Sequence, residues 1–369
     1  MRNSLAMSGT QPSAAAATGH DTSGRYWIAR LPRAWYIACR SSALRRKPLA
    51  TTILDTPLVV FRTRNGTAAA LLDRCAHRNA PLSLGRVAGE RLACRYHGWE
   101  FCAEGRCELV PALAGPQQSH GRRVPSFATR EQNGFVWVFA AADETPDSEP
   151  YHFAHLEDPG YGQFRIDYRV DATLHATLEN MLDVPHTAFL HRGLFRGGTP
   201  NRITAVVRHS ALGVEAQYVG EPPPRGLAAR ILGMGSDTDA TLEHHDRFIL
   251  PSISQVEYRL GDNHFIATSA LTPESDFMTR FSTVVTYRLP VPRLLLRALF
   301  EPVARRILAQ DRWILSRQTA SVRSFGGEQY VSTGVDVLGP EIWRILKRAE
   351  LGEAAPADLP AEQRIDLMA

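Results

Sequence analysis

Short apolar runs separated by turn residues characterise the first part of the chain. They are bounded by Gly, Asn or Pro and comprise Leu58–Phe61, Ala68–Leu72 and Phe135–Phe139. Runs of this length and composition are typical of β-strands. Many short strands with Gly-rich turns predict a small all-β domain that begins near Tyr26 and Trp27.

The second part of the chain mixes two periodicities. Leu174–His191 and Val303–Val322 repeat their apolar residues with the period of a helix. The segments Ile203–Val207, Phe248–Tyr258 and Phe281–Leu289 instead have the composition of strands. Because strands and helices occur in separate runs, the sequence predicts an α+β fold rather than a wound βαβ sheet.

An acidic, proline-bearing stretch, 141–150, divides these two parts. Stretches of this composition are frequent at domain boundaries. The first residues of the chain are rich in Ala, Ser, Thr and Gly and have no apolar period, which is typical of disorder. The sequence therefore predicts a disordered leader over 1–23, one domain over 24–145 and a second domain over 146–369.

The composition of the chain argues against several classes of protein. The 369 residues are 44% hydrophobic and 22% charged, as in an ordinary globular protein. No stretch approaches the roughly 20 apolar residues that span a bilayer, so the sequence argues against an integral membrane protein. The net charge of +4 is too small to indicate nucleic-acid binding, but it could favour an acidic protein partner.

The cysteines are concentrated in one region. Four of the five lie within Cys75–Cys107, and the sequence shows no secretory signal. Clustered cysteines without such a signal are typical of metal or redox sites in a reducing compartment. We therefore expect a cytoplasmic protein with a metal centre.

Two mixed loops carry the strongest chemical signal. Cys75-Ala-His77 and Cys94-Arg-Tyr-His97 each offer one thiolate and one imidazole. Such a pair of loops can hold a structural zinc ion or a Rieske 2Fe–2S cluster, in which two His replace two Cys on one iron. Zinc fingers usually pair Cys with Cys and His with His, so the mixed loops favour the Rieske cluster.

The residues beside these loops also suit a cluster. Gly98 allows the backbone to approach a sulfur closely, and the hydroxyl of Tyr96 could donate to a cluster sulfur and tune its potential. Trp99 follows in the same segment and is a further candidate neighbour. Both loops, together with Arg78–Gly85 after the first, resemble those of the Rieske non-haem iron oxygenases of the alpha-subunit type.

A second group of polar residues lies in the second domain. Glu179, Asp183, His186 and His191 fall in one short segment. On a helix the first three would share one face, and Pro185 should kink or end that helix, so that His191 can reach the same point. Two imidazoles with one carboxylate form the facial triad of non-haem iron(II) oxygenases.

Three acids are candidates for the carboxylate of this triad. Glu179 and Asp183 are close in sequence. Asp311 lies within the apolar stripe of the predicted helix Val303–Val322, where an ionised carboxylate is costly unless it is paired or binds a metal. The family resemblance also favours Asp311, and the alternative is a plain salt bridge to Arg305 or Arg312.

The resemblance covers about Tyr26 to Phe325 and implies a complete architecture. It implies a second domain of helix-grip (START-like) type, with an antiparallel sheet, and a ring of three identical subunits. Asp183 would bridge a cluster His of one subunit and an iron His of the next. The implied ligands are Cys75, His77, Cys94 and His97 for the 2Fe–2S cluster, and His186, His191 and Asp311 for a mononuclear Fe(II).

The resemblance also implies a terminal oxygenase that uses O₂ and electrons relayed from NAD(P)H. The chain has no Gly-x-Gly-x-x-Gly fingerprint, so a separate NAD(P)H-dependent reductase is expected, with or without a ferredoxin. Arginines crowd the cluster loops and could form a docking face for an acidic carrier or simply a solvated surface. They are Arg74, Arg78, Arg86, Arg91 and Arg95.

Hydroxylation or oxidative demethylation of an apolar or aromatic small molecule is the favoured reaction, with cis-dihydroxylation of an arene as the alternative. The apolar residues beside the iron motif, Met181, Leu182, Phe189 and Leu190, suit such a substrate, but they equally suit a core. Two other classes are a Rieske electron carrier and a hydrophobic-ligand binding protein. Cys102 and Cys107 are interpreted as free thiols, Cys39 as a small core residue, and His244 and His245 as ordinary histidines with an exposed appearance.

Overall fold

Three small antiparallel sheets form the first half of the molecule. In the computed structural model the described residues are 28–117, 122–191, 201–222, 241–290, 293–356 and 360–368. Two 3₁₀ turns, Ser41–Ala43 and Leu82–Leu84, interrupt the strands. The strands are β1 (Trp35–Arg40), β2 (Leu49–Ile53), β3 (Thr56–Arg62), β4 (Ala68–Leu72), β5 (Arg86–Ala88), β6 (Arg91–Ala93), β7 (Glu100–Phe101), β8 (Cys107–Leu109), β9 (Ser126–Phe127), β10 (Thr129–Gln132) and β11 (Phe135–Phe139).

These sheets have the strand orders β1-β11-β10, β2-β3-β4-β9 and β5-β6-β7-β8. The third sheet has strands of only two or three residues. The two mixed loops lie at these strands: one precedes β5 and the other joins β6 to β7. The predicted strand Ala68–Leu72 and the predicted strand Phe135–Phe139 are confirmed to the residue. The predicted leader, 1–23, lies outside the described residues.

The second half contains one large sheet and the helices that cover it. The strands are β12 (Gly162–Val170), β13 (Arg202–Ser210), β14 (Gly213–Val219), β15 (Glu243–Ile249), β16 (Ile253–Leu260), β17 (Asn263–Ser275), β18 (Met278–Arg288) and β19 (Gln363–Met368). The helices are α1 (Leu174–Leu182), α2 (His186–Leu190), α3 (Arg293–Ser324) and α4 (Gly339–Leu351). In the described part of the chain no helix is long and apolar enough to cross a membrane.

All eight strands pair antiparallel, in the order β12-β18-β17-β16-β15-β14-β13-β19. One face of this sheet, called the inner face below, packs against the helices. Its core joins Leu178 of α1, Leu315 of α3 and Ile342 of α4 to Ala216 and Phe248 of the sheet. A mostly β first half and a helix-covered antiparallel sheet confirm the predicted fold class.

A further apolar cluster joins the two halves. Trp35 and Trp137 from the first sheet, and Ile253 and Val284 from the large sheet, belong to one buried group with Phe153 from the connecting segment. The halves therefore share a core, although their sheets are separate.

The helical segment predicted over Leu174–His191 is divided before Pro185, where the sequence predicted a kink or an end. Thr173 caps α1 by accepting a hydrogen bond from the backbone N–H of Ala176 at 3.1 Å. The helix ends at Leu182, Asp183 is extended, and α2 begins only at His186. Pro185 is the physical reason, because it disfavours a helical conformation in the residue before it. Glu179, Asp183 and His186 therefore do not share one helical face.

The predicted strand Phe248–Tyr258 is wrong as a single element. Pro251 cannot donate to a strand ladder, and the chain turns there, so that β15 and β16 form a hairpin. At the end of the chain β19 pairs with β13 as an edge strand, although no strand was predicted in that tail.

Candidate metal centres

The two mixed loops have the same backbone geometry. In each, the Cys N–H donates to the carbonyl five residues later, at 2.9 Å for Cys75 and 2.8 Å for Cys94. The N–H four residues after each Cys returns a bond to the Cys carbonyl, at 3.0 Å from Asn79 and 3.1 Å from Gly98. Both of these closing residues have positive φ, 58° and 72° respectively, which Asn and Gly adopt more readily than other residues.

The loops present thiols inside and imidazoles outside. Cys75 and Cys94 are 2% and 4% exposed, and both belong to one apolar cluster. The rings of His77 and His97 lie edge to face with centroids 4.6 Å apart. Nδ1 of His77 is buried and makes no hydrogen bond within the described residues. An unbonded buried nitrogen beside two buried thiols fits the Cys₂His₂ donor set of a Rieske cluster.

Burial raises the pKa of the Cys75 thiol to about 11, and the neighbouring thiol of Cys94 acts in the same direction. A metal ligand must be a thiolate, so cluster binding displaces this proton.

The second group converges from two separate elements. One ligating atom each from His186, His191 and Asp311 lies within 4.8 Å of the others, and this is the one such group found among the described residues. Nε2 of His186 is 3.3 Å from Nε2 of His191 and 3.6 Å from Oδ1 of Asp311. Nε2 of His191 is 2.9 Å from Oδ1 of Asp311. Adjacent ligands of an octahedral metal with bonds of about 2.1 Å are about 3.0 Å apart. The triangle therefore has the size of a facial triad.

The triad is largely buried, with His186 half-buried, and it lacks ordinary hydrogen bonds at its centre. His191 is 1% and Asp311 is 9% exposed. Oδ1 of Asp311 has no hydrogen bond from any described residue, although two imidazole nitrogens face it. Three converging acceptor atoms without a donor between them are chemically reasonable only if a proton or a cation lies there, and this fits iron.

Two oxygen atoms accept hydrogen bonds from the Nδ1 atoms of the two histidines and so fix the orientation of their rings. Oε1 of Gln310 lies 2.9 Å from Nδ1 of His191, and the backbone carbonyl of Asp183 contacts Nδ1 of His186. Because each Nδ1–H donates to a fixed oxygen, each Nε2 is left as an acceptor that faces Asp311. Gln310 was not predicted from the sequence, where only its position beside Asp311 could have indicated it.

The titration of the triad shows its electrostatic coupling. Burial lowers the pKa of His186, but the carboxylates of Asp183 and Asp311 outweigh burial and raise it to about 9. Burial raises the pKa of Asp311, but the two imidazoles outweigh burial and hold it below its ordinary value. Without metal the site thus favours a carboxylate beside a protonated ring, which a divalent cation can replace.

The other two candidate acids lie beside the triad and not in it. The carboxylate of Asp183 accepts the backbone N–H of His186 at 3.1 Å and lies 3.5 Å from the ring Nδ1. Glu179 and Asp336 share with it a cavity of about 640 Å³ next to His186. A Cβ on Gly339 would lie 2.1 Å from Oε1 of Glu179, so this packing needs a glycine there.

The remaining predicted residues near the cluster differ in exposure. Tyr96 is 65% exposed with its ring against His97, and Trp99 stacks on His77 with centroids 4.5 Å apart. Cys102 and Cys107 are buried free thiols. Four of the five arginines of the cluster loops are exposed, and Arg91 instead pairs with Glu100 at 2.8 Å.

The interpretation of His244 as an exposed histidine is wrong. It is 1% exposed, and its ring nitrogens lie 2.6 Å from Glu221 and 3.1 Å from Asp246. The period of two in β15 places His244 and Asp246 on the inner face and His245 on the other.

Comparison with known proteins agrees with both centres. The Rieske [2Fe-2S] domain family matches residues 34–128, and the vanillate O-demethylase oxygenase C-terminal domain family matches residues 170–351. The chain is 26% identical over 350 residues to the vanillate O-demethylase oxygenase subunit of a Pseudomonas species, which covers 88% of this chain and 96% of that one.

Two further similarities concern dicamba-degrading enzymes. The oxygenase component of dicamba O-demethylase from Stenotrophomonas maltophilia is 38% identical over 163 residues, or 43% of this chain and 47% of that protein. A crystal structure of dicamba monooxygenase bound to 3,6-dichlorosalicylic acid superposes with a TM-score of 0.75 at 26% identity, covering 89% of this chain and 100% of that one.

The chain belongs to the Rieske non-haem iron oxygenases. It is an iron-dependent oxidoreductase whose cofactors are a 2Fe–2S cluster and a mononuclear non-haem iron.

Proposed function

We propose that this chain is the terminal oxygenase component of a multicomponent system that hydroxylates or oxidatively demethylates an aromatic small molecule. The observation that carries the proposal is the convergence of His186, His191 and Asp311 in a chain that also has two mixed Cys-His loops. A 2Fe–2S cluster held by the two loops would supply one-electron transfer, and an iron held by the triad would supply an open coordination site for oxygen. The chain's own part is to hold the ligands, orient their rings and keep the site buried.

The ligand assignments are part of this proposal. Cys75 and Cys94 would hold one iron of the cluster, and His77 and His97 would hold the other. The facial triad of His186, His191 and Asp311 holds the mononuclear Fe(II). We assign Asp183 a catalytic role as the bridge between centres, since its carboxylate lies beside the iron histidine and lines an open cavity. We also retain a boundary between the halves near residue 145, after β11 and before β12.

The relatives support demethylation or monooxygenation over cis-dihydroxylation. Two of the similar proteins are a vanillate O-demethylase and a dicamba O-demethylase. A dihydroxylating ring dioxygenase remains the second candidate, because the same triad serves both reactions.

The partners of this chain are proposed from the charge of its surfaces and from the absence of a Gly-x-Gly-x-x-Gly fingerprint in its sequence. A separate NAD(P)H-dependent reductase, with or without a ferredoxin, must deliver the electrons. A homotrimer is proposed because the cavity beside His186 carries three carboxylates, Glu179, Asp183 and Asp336. The cluster loops of another copy carry exposed arginines, so the two surfaces are complementary.

A cytoplasmic location is supported by five cysteines that form no disulfide among the described residues.

The decisive experiment measures iron, spectrum and turnover on the same preparation. An oxygenase should hold about three irons per chain, against two for a Rieske carrier and none for a lipid binder, and should consume NADH with a surrogate reductase only when a substrate is present. His97→Cys should change the g-values and visible bands and keep a cluster. Light scattering should give three times 40.9 kDa. A preparation that holds only zinc, without acid-labile sulfide, contradicts the proposal.

A further inference from the structure

One carboxyl group in the cavity beside the triad lacks a hydrogen bond. The cavity of about 640 Å³ is lined by three acids, Glu179, Asp183 and Asp336. Asp183 accepts the backbone N–H of His186 at 3.1 Å, and Asp336 accepts that of Thr333 at 2.6 Å. Glu179, on the last turn of α1, accepts no hydrogen bond from a residue that the structure describes. Because such bonds favour the ionised form of an acid, Glu179 is the acid of this cavity best able to hold a proton.

Burial and charge also favour the protonated form of Glu179. The side chain is half-buried, and the carboxylates of Asp183 and Asp336 share its cavity. His186 is the one basic side chain among the described residues that line this cavity, and it belongs to the triad. Burial, followed by the charges of Asp183 and Asp336, raises the pKa of Glu179 to about 7. Near neutral pH this carboxyl group can therefore both take up and release a proton.

The groups behind Glu179 act in both directions. Gly339, the first residue of α4, packs against Glu179, and the N-terminus of a helix favours an ionised acid. Glu328, which is 4% exposed, has the opposite effect, because the charges of the two glutamates repel each other. Burial lowers the pKa of His175, and burial followed by the two glutamates raises the pKa of the Tyr330 phenol, so both rings are neutral near pH 7. Among these described groups the helix terminus alone favours the carboxylate.

The reaction needs protons beside this cavity. Monooxygenation consumes one O₂, two electrons and two protons for each substrate C–H bond; one oxygen atom becomes the hydroxyl group of the product, and the other leaves as water with the two protons. The electrons come from the reductase through the cluster, so the protons must come from solvent. An acid whose pKa is near the working pH is the most effective donor, and an acid placed where burial opposes its charge is typical of a functional site.

We propose that Glu179 relays protons in this oxygenase: its carboxyl group takes up a proton from water in the cavity and passes it, through water, towards the triad. The inference rests on the proposed function, because the protons are needed only if the triad reduces oxygen. Glu179 acts through water and ligates no iron. An arginine that a second copy brings to the cavity would favour release of the proton, so the tests use the assembled holoprotein.

The kinetic test mixes reduced holoprotein with hydrogen peroxide, a probe that needs no substrate. The reduced cluster and Fe(II) each give one electron, and one peroxide with two protons becomes two waters. The visible bands of the cluster report the rate. We expect the rate to fall between pH 6 and pH 8, as Glu179 ionises, and to be slower in D₂O. Glu179→Gln should react at least about tenfold more slowly at pH 6 and lose the pH dependence.

The matched control is Glu157→Gln, the same chemical change at an exposed residue outside the cavity. It should keep the rate and the pH profile of the wild type. A wild-type rate and pH profile in Glu179→Gln overturns the inference, and so does equal slowing in the two variants.

Infrared titration tests the proton itself and depends on no reaction. The C=O band of a protonated carboxyl group should disappear from the wild type with a midpoint near pH 7 and should be missing in Glu179→Gln. Identical spectra of the two proteins at pH 6 overturn the inference. Iron content and the Rieske spectrum separate the two failures: absent centres refute the proposed function, whereas intact centres without the band or the kinetic effect refute only the relay.

Discussion

The amide of Gln310 should set the affinity of the site for mononuclear iron. Its Oε1 lies 2.9 Å from Nδ1 of His191, whose side chain is 2% exposed. Removing the acceptor from a buried N–H costs about 1–3 kcal/mol, and the loss of a partner behind a metal ligand typically lowers metal affinity by about 10–100-fold. Gln310→Ala should therefore raise the Kd for Fe(II) by about 10–100-fold. Gln310→Glu keeps an acceptor and should bind iron at least as tightly as the wild type.

The assay is anaerobic titration of protein from which a chelator has removed the mononuclear iron. The visible spectrum of the cluster serves as an internal control, because a variant that merely misfolds would lose it as well. Arg312→Ala is the matched control, since Arg312 is exposed and adjacent on α3. A Kd for Gln310→Ala within twofold of the wild type would refute the reasoning. Equal weakening in the Ala and Glu variants would show that packing, and not the acceptor, matters.

Three further predictions concern the acid of the triad, Asp311, and the two acids beside it, Asp183 and Glu179. Asp311→Ala should lose mononuclear iron and keep the Rieske spectrum, as measured by iron analysis; retention of full iron would require another acid in the triad. Asp183→Asn should keep both metals but slow the reoxidation of the reduced cluster on rapid mixing with oxygen and substrate, and a wild-type rate would end its bridging role. Burial, together with the charges of Asp183 and Asp336, raises the pKa of Glu179 from 4.5 to about 7. The stability associated with the protonated side chain is therefore fully present below pH 4.5 and is lost as the pH rises through 7, because the buried carboxyl group then ionises. Glu179→Gln should therefore raise the free energy of unfolding at pH 8, measured by urea denaturation, by at most about 3 kcal/mol, and have little effect near pH 4.5; equal effects at both pH values would contradict the sign.

The sequence was sufficient where the chemistry is local. The spacing within the two Cys-His loops is enough to predict a ligand set. The pair His186 and His191 was predicted to bind iron because those loops are present in the same chain, and the structure places the two Nε2 atoms 3.3 Å apart. Asp311 is distant in sequence, but a carboxylate in the apolar stripe of a helix is a recognisable anomaly, and the structure places it 2.9 Å from His191.

Other features depended on partners that spacing cannot indicate. His244 looked like a surface residue because Glu221, which accepts from its ring, lies 23 residues away. Gln310 resembles any polar helical residue until its amide is seen against His191. The end of α1 depended on Pro185, whose effect on a helix could be a kink or a break, and only the fold decides between them.

The apolar cluster shared by the two halves has a consequence for heat stability and for dissection of the protein. Separating the halves would expose Trp35, Trp137 and Phe139 to water, a loss on the order of 10 kcal/mol at most for three large aromatic side chains. A small domain has about that much total stability. The iron–sulfur half excised alone should therefore aggregate, and the intact chain should melt in one cooperative transition. Loss of the visible bands of the cluster on heating would then report the unfolding of the catalytic half as well.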